Sequence, residues 1–171
     1  VQMTWMRKPD GLIETKALDE RDMIENLAFA VINRRLQAVG RSAEPPFIAG
    51  GAFKGDQYGA VRVTTLGATA QPSRWREAMS ALDAEQRRAV QYGVRQDELD
   101  REIATLRASL VAAAAGEATQ RTPALANQLL NTLGDAEVIT SPSQNLAFFD
   151  ELVKAIAEAV SYTHLTLPTK A

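Results

Sequence analysis

The sequence predicts an α+β domain, two layers deep, with helices packed on one face of a small, mostly antiparallel sheet. Three observations carry that prediction. Alternating or apolar runs at Val1–Met6, Phe47–Phe53 and Val61–Ala70 read as strands. Longer stretches with apolar residues three and four apart read as helices. Turn and cap chemistry falls where one kind of pattern gives way to the other.

Val1, Met3 and Trp5 alternate with Gln2, Thr4 and Met6, the pattern of a half-buried strand despite the apolar Met6. Lys8-Pro9-Asp10-Gly11 ends it with turn chemistry. A helix is predicted from about Leu18 to Val39, its acidic first turn (Asp19, Glu20, Asp22) complementing the helix dipole. Met23, Leu27 and Val31, with Ile24, Ala28 and Ile32, give it an apolar face broad enough to require burial, as against a sheet. Phe47–Phe53 and Val61–Ala70 follow as two strands, joined by Lys54–Gly59.

Pro72 and Ser73 open a second helix with Trp75, Ala78, Met79, Leu82, Ala89 and Val90 along one side, and Gly93 is placed to cap its end. A third helix from about Gln96 carries Leu99, Ile103, Leu106 and Leu110. Thr122-Pro123 reads as an N-cap with proline in the first helical position, opening a short helix through Leu133. Ser141-Pro142-Ser143-Gln144 is a capping box, launching Leu146, Phe149, Val153, Ile156 and Val160. No internal repeat of solenoid length is present.

At 171 residues the chain fits one domain on the usual prior of ~100–200 residues. A chain of this size buries roughly 68–70% of its unfolded surface, enough for its own core. Nineteen basic residues stand against 21 acidic ones, interspersed, which leaves no basic footprint for nucleic acid. There is no cysteine, so disulfides and thiolate zinc sites are excluded. The longest apolar runs, Leu27–Ile32 and Leu110–Ala115, are too short to cross a bilayer. The chain opens mid-pattern at Val1 without an initiator Met, so it reads as a piece whose targeting information lies upstream.

Residues 161–171, Ser161 to Ala171, break with what precedes them: Thr, Leu and Pro without periodicity replace an Ala/Glu/Leu-rich helical pattern. The string resembles translated sequencing-adapter read-through from fragmentary metagenomic genes, and fold reasoning therefore stops at Val160. The organisation expected is one domain over 1–160 and a non-native tail over 161–171. Without that tail 18 basic residues face 21 acidic ones, a net charge of −3, and the only histidine, His164, goes with it.

Each motif that could carry chemistry has a plainer reading. Gly50-Gly51-Ala52-Phe53-Lys54-Gly55 has the glycine spacing of a phosphate loop, but Asp56 stands where lysine is required. A strand with close backbone approach explains it better. Asp97, Glu98, Asp100 and Glu102 form an acidic cluster in the first turns of a helix, where carboxylates are favoured, and Asp97 is spaced to pair with Arg101. A solvated face is expected there. Arg34-Arg35 and Arg87-Arg88 are isolated pairs without interleaved aromatics. Trp5, Trp75 and Met79 are expected in the core. Ser141 is a cap, since no histidine is at hand to activate it as a nucleophile.

Several segments together resemble the pitrilysin/insulinase-type zinc metallopeptidases. These are the opening strand with Pro9-Asp10-Gly11, the Glu25–Leu36 helix, the Pro45-Pro46-Phe47 lead into the sheet, and Val63–Ala70. They continue with Trp75-Arg76-Glu77-Ala78, Tyr92–Asp100, Arg121–Ala126 and Ile139–Gln144, so that the resemblance spans Val1–Val160. It implies a metallopeptidase/LuxS-like α/β roll, one of several duplicated domains closing around unfolded peptides. The family's leading domain carries H-x-x-E-H, whose histidines and a distal Glu hold zinc while the motif Glu activates water. No such motif occurs here, so the resemblance identifies the following, non-catalytic domain. It supplies no catalytic residue, no cofactor-binding residue and no metal ligand. Zinc is expected only in the parent protein, on a domain outside this chain. The expected partners are the parent's other domains and its peptide substrate, with no nucleic acid and no membrane span, in a periplasmic setting. Two alternatives stand beside this: a catalytically inactive scaffold relative, such as a respiratory-complex core-like subunit, and an unrelated helical interaction module.

Overall fold

The computed structural model describes residues 1–8, 15–57, 60–134 and 138–166 of the chain. The predicted turn at Pro9-Asp10-Gly11 and the hairpin tip at Tyr58-Gly59 lie outside the described residues. The elements run β1 (Gln2–Arg7), α1 (Lys16–Gly40), β2 (Ala49–Gln57), β3 (Val61–Thr69), α2 (Trp75–Tyr92), α3 (Gln96–Gly116), α4 (Thr122–Gly134) and α5 (Pro142–Thr166). Short 3₁₀ turns at Pro72–Arg74 and Glu117–Thr119 precede α2 and follow α3. The predicted α+β class and element order are observed.

The chain divides into two compact units, one of Val1–Ile13 with Arg21–Glu102, the other of Glu14–Glu20 with Ile103–Ala171. In the first unit the sheet has the order β1-β3-β2, antiparallel throughout. Met3 and Ala52 both lie opposite Leu66, which puts alternate residues of all three strands on one face. That face meets the helices. Leu36 of α1, Ala78 and Leu82 of α2, and Phe47, Ala52 and Leu66 form one buried cluster, flanked by Met3, Phe29, Ile32 and Ala68. This is the two-layer arrangement, with hydrophobic burial as its driving force.

Phe47 locks the approach to β2. A Cβ added at Gly50 would stand 3.0 Å from its ring, a tight contact, so glycine lets the strand pass that close without moving the ring. Arg74 donates to the Pro45 carbonyl at 2.8 Å and ties the same lead-in to the start of α2. Gly93 ends α2 at φ 65°, its N–H bonding the Ala89 carbonyl, as the C-terminal cap requires.

Several positions differ from the sequence reading. β2 begins at Ala49 and runs on through Gln57, so Lys54–Gln57 belong to the strand and not to the loop. Pairing with β3 holds them there, with Gly55 opposite Val63 and Asp56 opposite Arg62. Ile24 and Val90, assigned to buried faces, are exposed, although Leu27, Val31, Ala78 and Leu82 on the same stripes are buried.

In the second unit α5 starts at the predicted capping box. The Ser141 N–H bonds Gln144 Oε1 at 2.8 Å, and the Gln144 N–H bonds Ser141 Oγ at 3.2 Å. Ser143 adds a bond from its backbone N–H to Glu117 at 3.2 Å. Phe149 and Leu152 are buried. The helix continues to Thr166, six residues beyond the expected break at Val160.

Candidate functional site

The densest chemistry in the first unit surrounds Arg35. Its side chain is 8% exposed, unusual for arginine, and it reaches three partners. Nε and Nη2 grip Glu98 as a fork at 2.8 and 2.5 Å, Nη1 meets Glu85 at 3.3 Å, and Nη2 also donates to the Gly93 carbonyl at 3.1 Å. One guanidinium thereby joins α1 to the end of α2, the Gly93 turn and the start of α3. Glu98 also accepts the Arg95 N–H at 3.0 Å, as a residue in the third helical position does in a capping box. Arg35's donation holds the Glu98 carboxyl at about 2, well below its ordinary value of 4.5, with the Arg95 bond assisting and burial opposing. Next to this group Arg34 grips the buried Glu102 with two bonds.

These contacts correct one expectation. Glu98 and Glu102 are drawn inward as partners of Arg35 and Arg34, and only Asp97 and Asp100 of the cluster face solvent. Of the Arg34-Arg35 pair, Arg35 is buried while Arg34 reaches Glu102 from an exposed position. Asp97 pairs with Arg95 at 2.6 Å. Arg87 and Arg88 answer Asp83 and Glu85 on their own helix, at 3.0 and 3.8 Å. Trp5 and Trp75, expected in the core, are 45% and 47% exposed, Trp75 stacking with Arg76 at 4.6 Å. Met79 is half-buried. Ser141 caps α5.

The donor chemistry does not fit a catalytic zinc. The chain has no cysteine and a single histidine, His164, and the carboxylates brought together at Arg35 are already neutralised by arginine. Among the described residues no group of three or more His, Cys, Asp or Glu side chains is placed to hold a metal. Gly50 and Gly51 lie within β2, with Gly51 facing the Asn33 side chain, and form no phosphate cradle.

Two surfaces of this unit have chemistry to offer a partner. One is a shallow groove of about 290 Å³, lined by Arg7, Glu25, Ala28, Phe29, Ile32 and Thr64, where α1 crosses β1 and β3. The other is the pair of sheet edges. On β2 the outward N–H and C=O of Ala52 are both taken by Asn33 of α1, at 2.6 and 3.0 Å. On the same strand Lys54 is held by Asp22 and Glu25 at 2.9 and 2.7 Å. No helix among the described residues is long and apolar enough to cross a membrane.

No family model matches the chain, and no curated protein is detectably similar to it in sequence. Solved structures share its fold. It superposes on the first half of the periplasmic protease PqqL from Escherichia coli with a TM-score of 0.80 at 19% identity, covering 90% of this chain and 33% of that one. A predicted insulinase family protease from Yersinia pestis gives 0.76 at 17% identity, with the same coverage. A mutant of the ferredoxin protease FusC, solved in complex with Arabidopsis ferredoxin, gives 0.63 at 11% identity, covering 90% of this chain and 17% of that one. The chain thus spans a third or less of these relatives.

Proposed function

We propose that this chain is a non-catalytic domain of a larger zinc metalloendopeptidase of the pitrilysin/insulinase type. The observation that carries the reading is the superposition, over 90% of the chain, on the periplasmic protease PqqL and on a predicted insulinase family protease. The segments that resemble the family in sequence support it, since they recur in the same order over the same stretch. The non-catalytic role rests on donor chemistry: a lone histidine at position 164 and no H-x-x-E-H. Zinc belongs on another domain of the parent, where it would polarise the scissile carbonyl and activate water. This chain's residues do structural work for that centre. The Arg35 clamp sets the helices against one another, and the sheet forms a wall beside which an unfolded peptide can lie. A periplasmic location follows for the parent by likeness to PqqL.

The test is to recover the contiguous gene and express its product. The reading expects an upstream H-x-x-E-H, and peptide cleavage that stops when a chelator is added. A degraded motif with no cleavage would replace the enzyme with an inactive scaffold. The 171-residue chain alone should neither cleave peptides nor take up zinc tightly, and stoichiometric tight uptake in equilibrium dialysis would refute the non-catalytic assignment.

A further inference from the structure

Charge fastens the start of α3 to the first unit, where apolar burial fastens the other helices. α1 is anchored there by Leu27, Val31 and Leu36, and α2 by Ala78 and Leu82, all 2% exposed or less. In α3 the one buried side chain is Glu102. Leu99 is half-buried, and Asp97, Asp100 and Arg101 face solvent. The bonds that reach this segment from α1 are ionic: the Arg35 fork on Glu98, at 2.8 and 2.5 Å, and the two donations of Arg34 to Glu102. The first compact unit ends inside α3, after Glu102.

An ionic fastening opens at lower cost than an apolar one. Lifting Glu98 and Glu102 away together returns both carboxylates to water, and their rehydration offsets much of the lost attraction. Substituting one partner brings no such relief, because the other charge stays behind unpaired. Arg35 keeps company after the lift, with Glu85 at 3.3 Å and the Gly93 carbonyl at 3.1 Å. The backbone supplies a pivot at Gly93, whose φ 65° and ψ −149° lie near a region that glycine enters and other residues avoid. A Cβ there would meet open space, and residues 91–97 around it are exposed, so a turn about this point disturbs no buried side chain.

We propose that residues 94–102 form an ion-latched segment, which lifts off α1 about Gly93 while the sheet, α1 and α2 stay folded. Ionic strength sets how often it opens, since salt favours separated ions over paired ones and shortens the range of their attraction. Arg34 is the accessible half of the latch, exposed while its partner Glu102 is buried. The device stands independently of the peptidase reading, because every residue in it belongs to this chain.

Amide hydrogen exchange on the 171-residue chain reads the opening, because a helix start without its packing partner frays. Amides of residues 99–102 should exchange about 100-fold or more faster than those of Thr65 in β3 and Leu82 in α2. Raising sodium chloride from about 0.01 M to about 1 M should speed the first set roughly 10-fold further and leave the other two no faster. Glu102→Gln keeps the size of the side chain and removes its charge. It should speed residues 99–102 about 10-fold at low salt, abolish most of their salt response, and leave Thr65 and Leu82 unchanged. Exchange of residues 99–102 at the rate of Leu82 would overturn the proposal, since the segment would then open only with the whole unit. Fast exchange there that ignores both salt and Glu102→Gln is plain fraying of a helix end, and equally refutes a latch. A Glu102→Gln chain in which all these amides speed up together would make the pair a general stabiliser, which also counts against it.

Discussion

The ion pairs of the two compact units are made from the same residue types in different surroundings. In the first unit Arg35 and Glu85 are 8% and 6% exposed at the side chain and meet at 3.3 Å. In the second, Arg107 and Asp150 meet at a shorter 2.9 Å but are 52% and 34% exposed. Lys16 and Glu151, at 2.8 Å, are more exposed still. Against Arg35–Glu85, distance alone would rank the surface pairs as the stronger. Burial reverses the order, because a charge that loses its partner in the interior cannot turn to water for compensation. The surface pairs lose little when broken, since solvent and salt already screen them.

The comparison breaks most readily at Arg35. Arg35→Ala should cost about 3–5 kcal/mol in urea unfolding, by stranding Glu85 and Glu98 in the interior. Replacing all three with methionine should cost less than that single change, since no uncompensated charge remains. A triple variant weaker than Arg35→Ala would show that the cluster stabilises through its bonds and not through avoided desolvation.

Gly93→Ala is expected to cost about 1 kcal/mol. A Cβ there meets open space, so the loss comes from the backbone at φ 65° and from disturbing the carbonyl that Arg35 holds. Combining it with Arg35→Ala should give less than the sum of the two, as contacting sites do, and strict additivity would separate the turn from the clamp.

Acid sharpens the contrast further. The Glu98 carboxyl is lowered in the folded state, so its contribution is complete above the ordinary 4.5 and is lost as pH falls through about 2. Unfolding midpoints measured between those values should fall for the native chain and flatten for Glu98→Gln. An unchanged slope would remove Glu98 as the titrating group. The smallest effect belongs to Arg107→Ala, expected to leave the melting temperature within experimental error, and less than that in high salt.

The elements were legible in the sequence where their determinants are local. The α5 capping box closes within four residues, and Gly93 announces its own positive φ. The Arg35 clamp was not legible, because Glu85 and Glu98 lie 50 and 63 residues away and the chain must fold before they meet. Position at a helix start made Glu98 look solvated, when its place in the first turn is also what lets it cap Arg95 and reach Arg35. Lys54–Gln57 looked like a loop because polar and glycine residues are poor strand formers, and only β3 across from them makes them a strand. Trp5 and Trp75 read as core from strand alternation and helical spacing. Alternation and helical spacing say which residues share a side, and not how far the opposite layer extends to cover them.

Asn33 has a consequence for how such chains can associate. Open-ended stacking of sheets needs a donor edge and an acceptor edge on every molecule, so that each addition exposes the next site. By filling the two outward groups of Ala52 from within the same molecule, Asn33 interrupts one of those edges midway. A single amide side chain thereby withholds the middle of β2 from any strand that would pair along it.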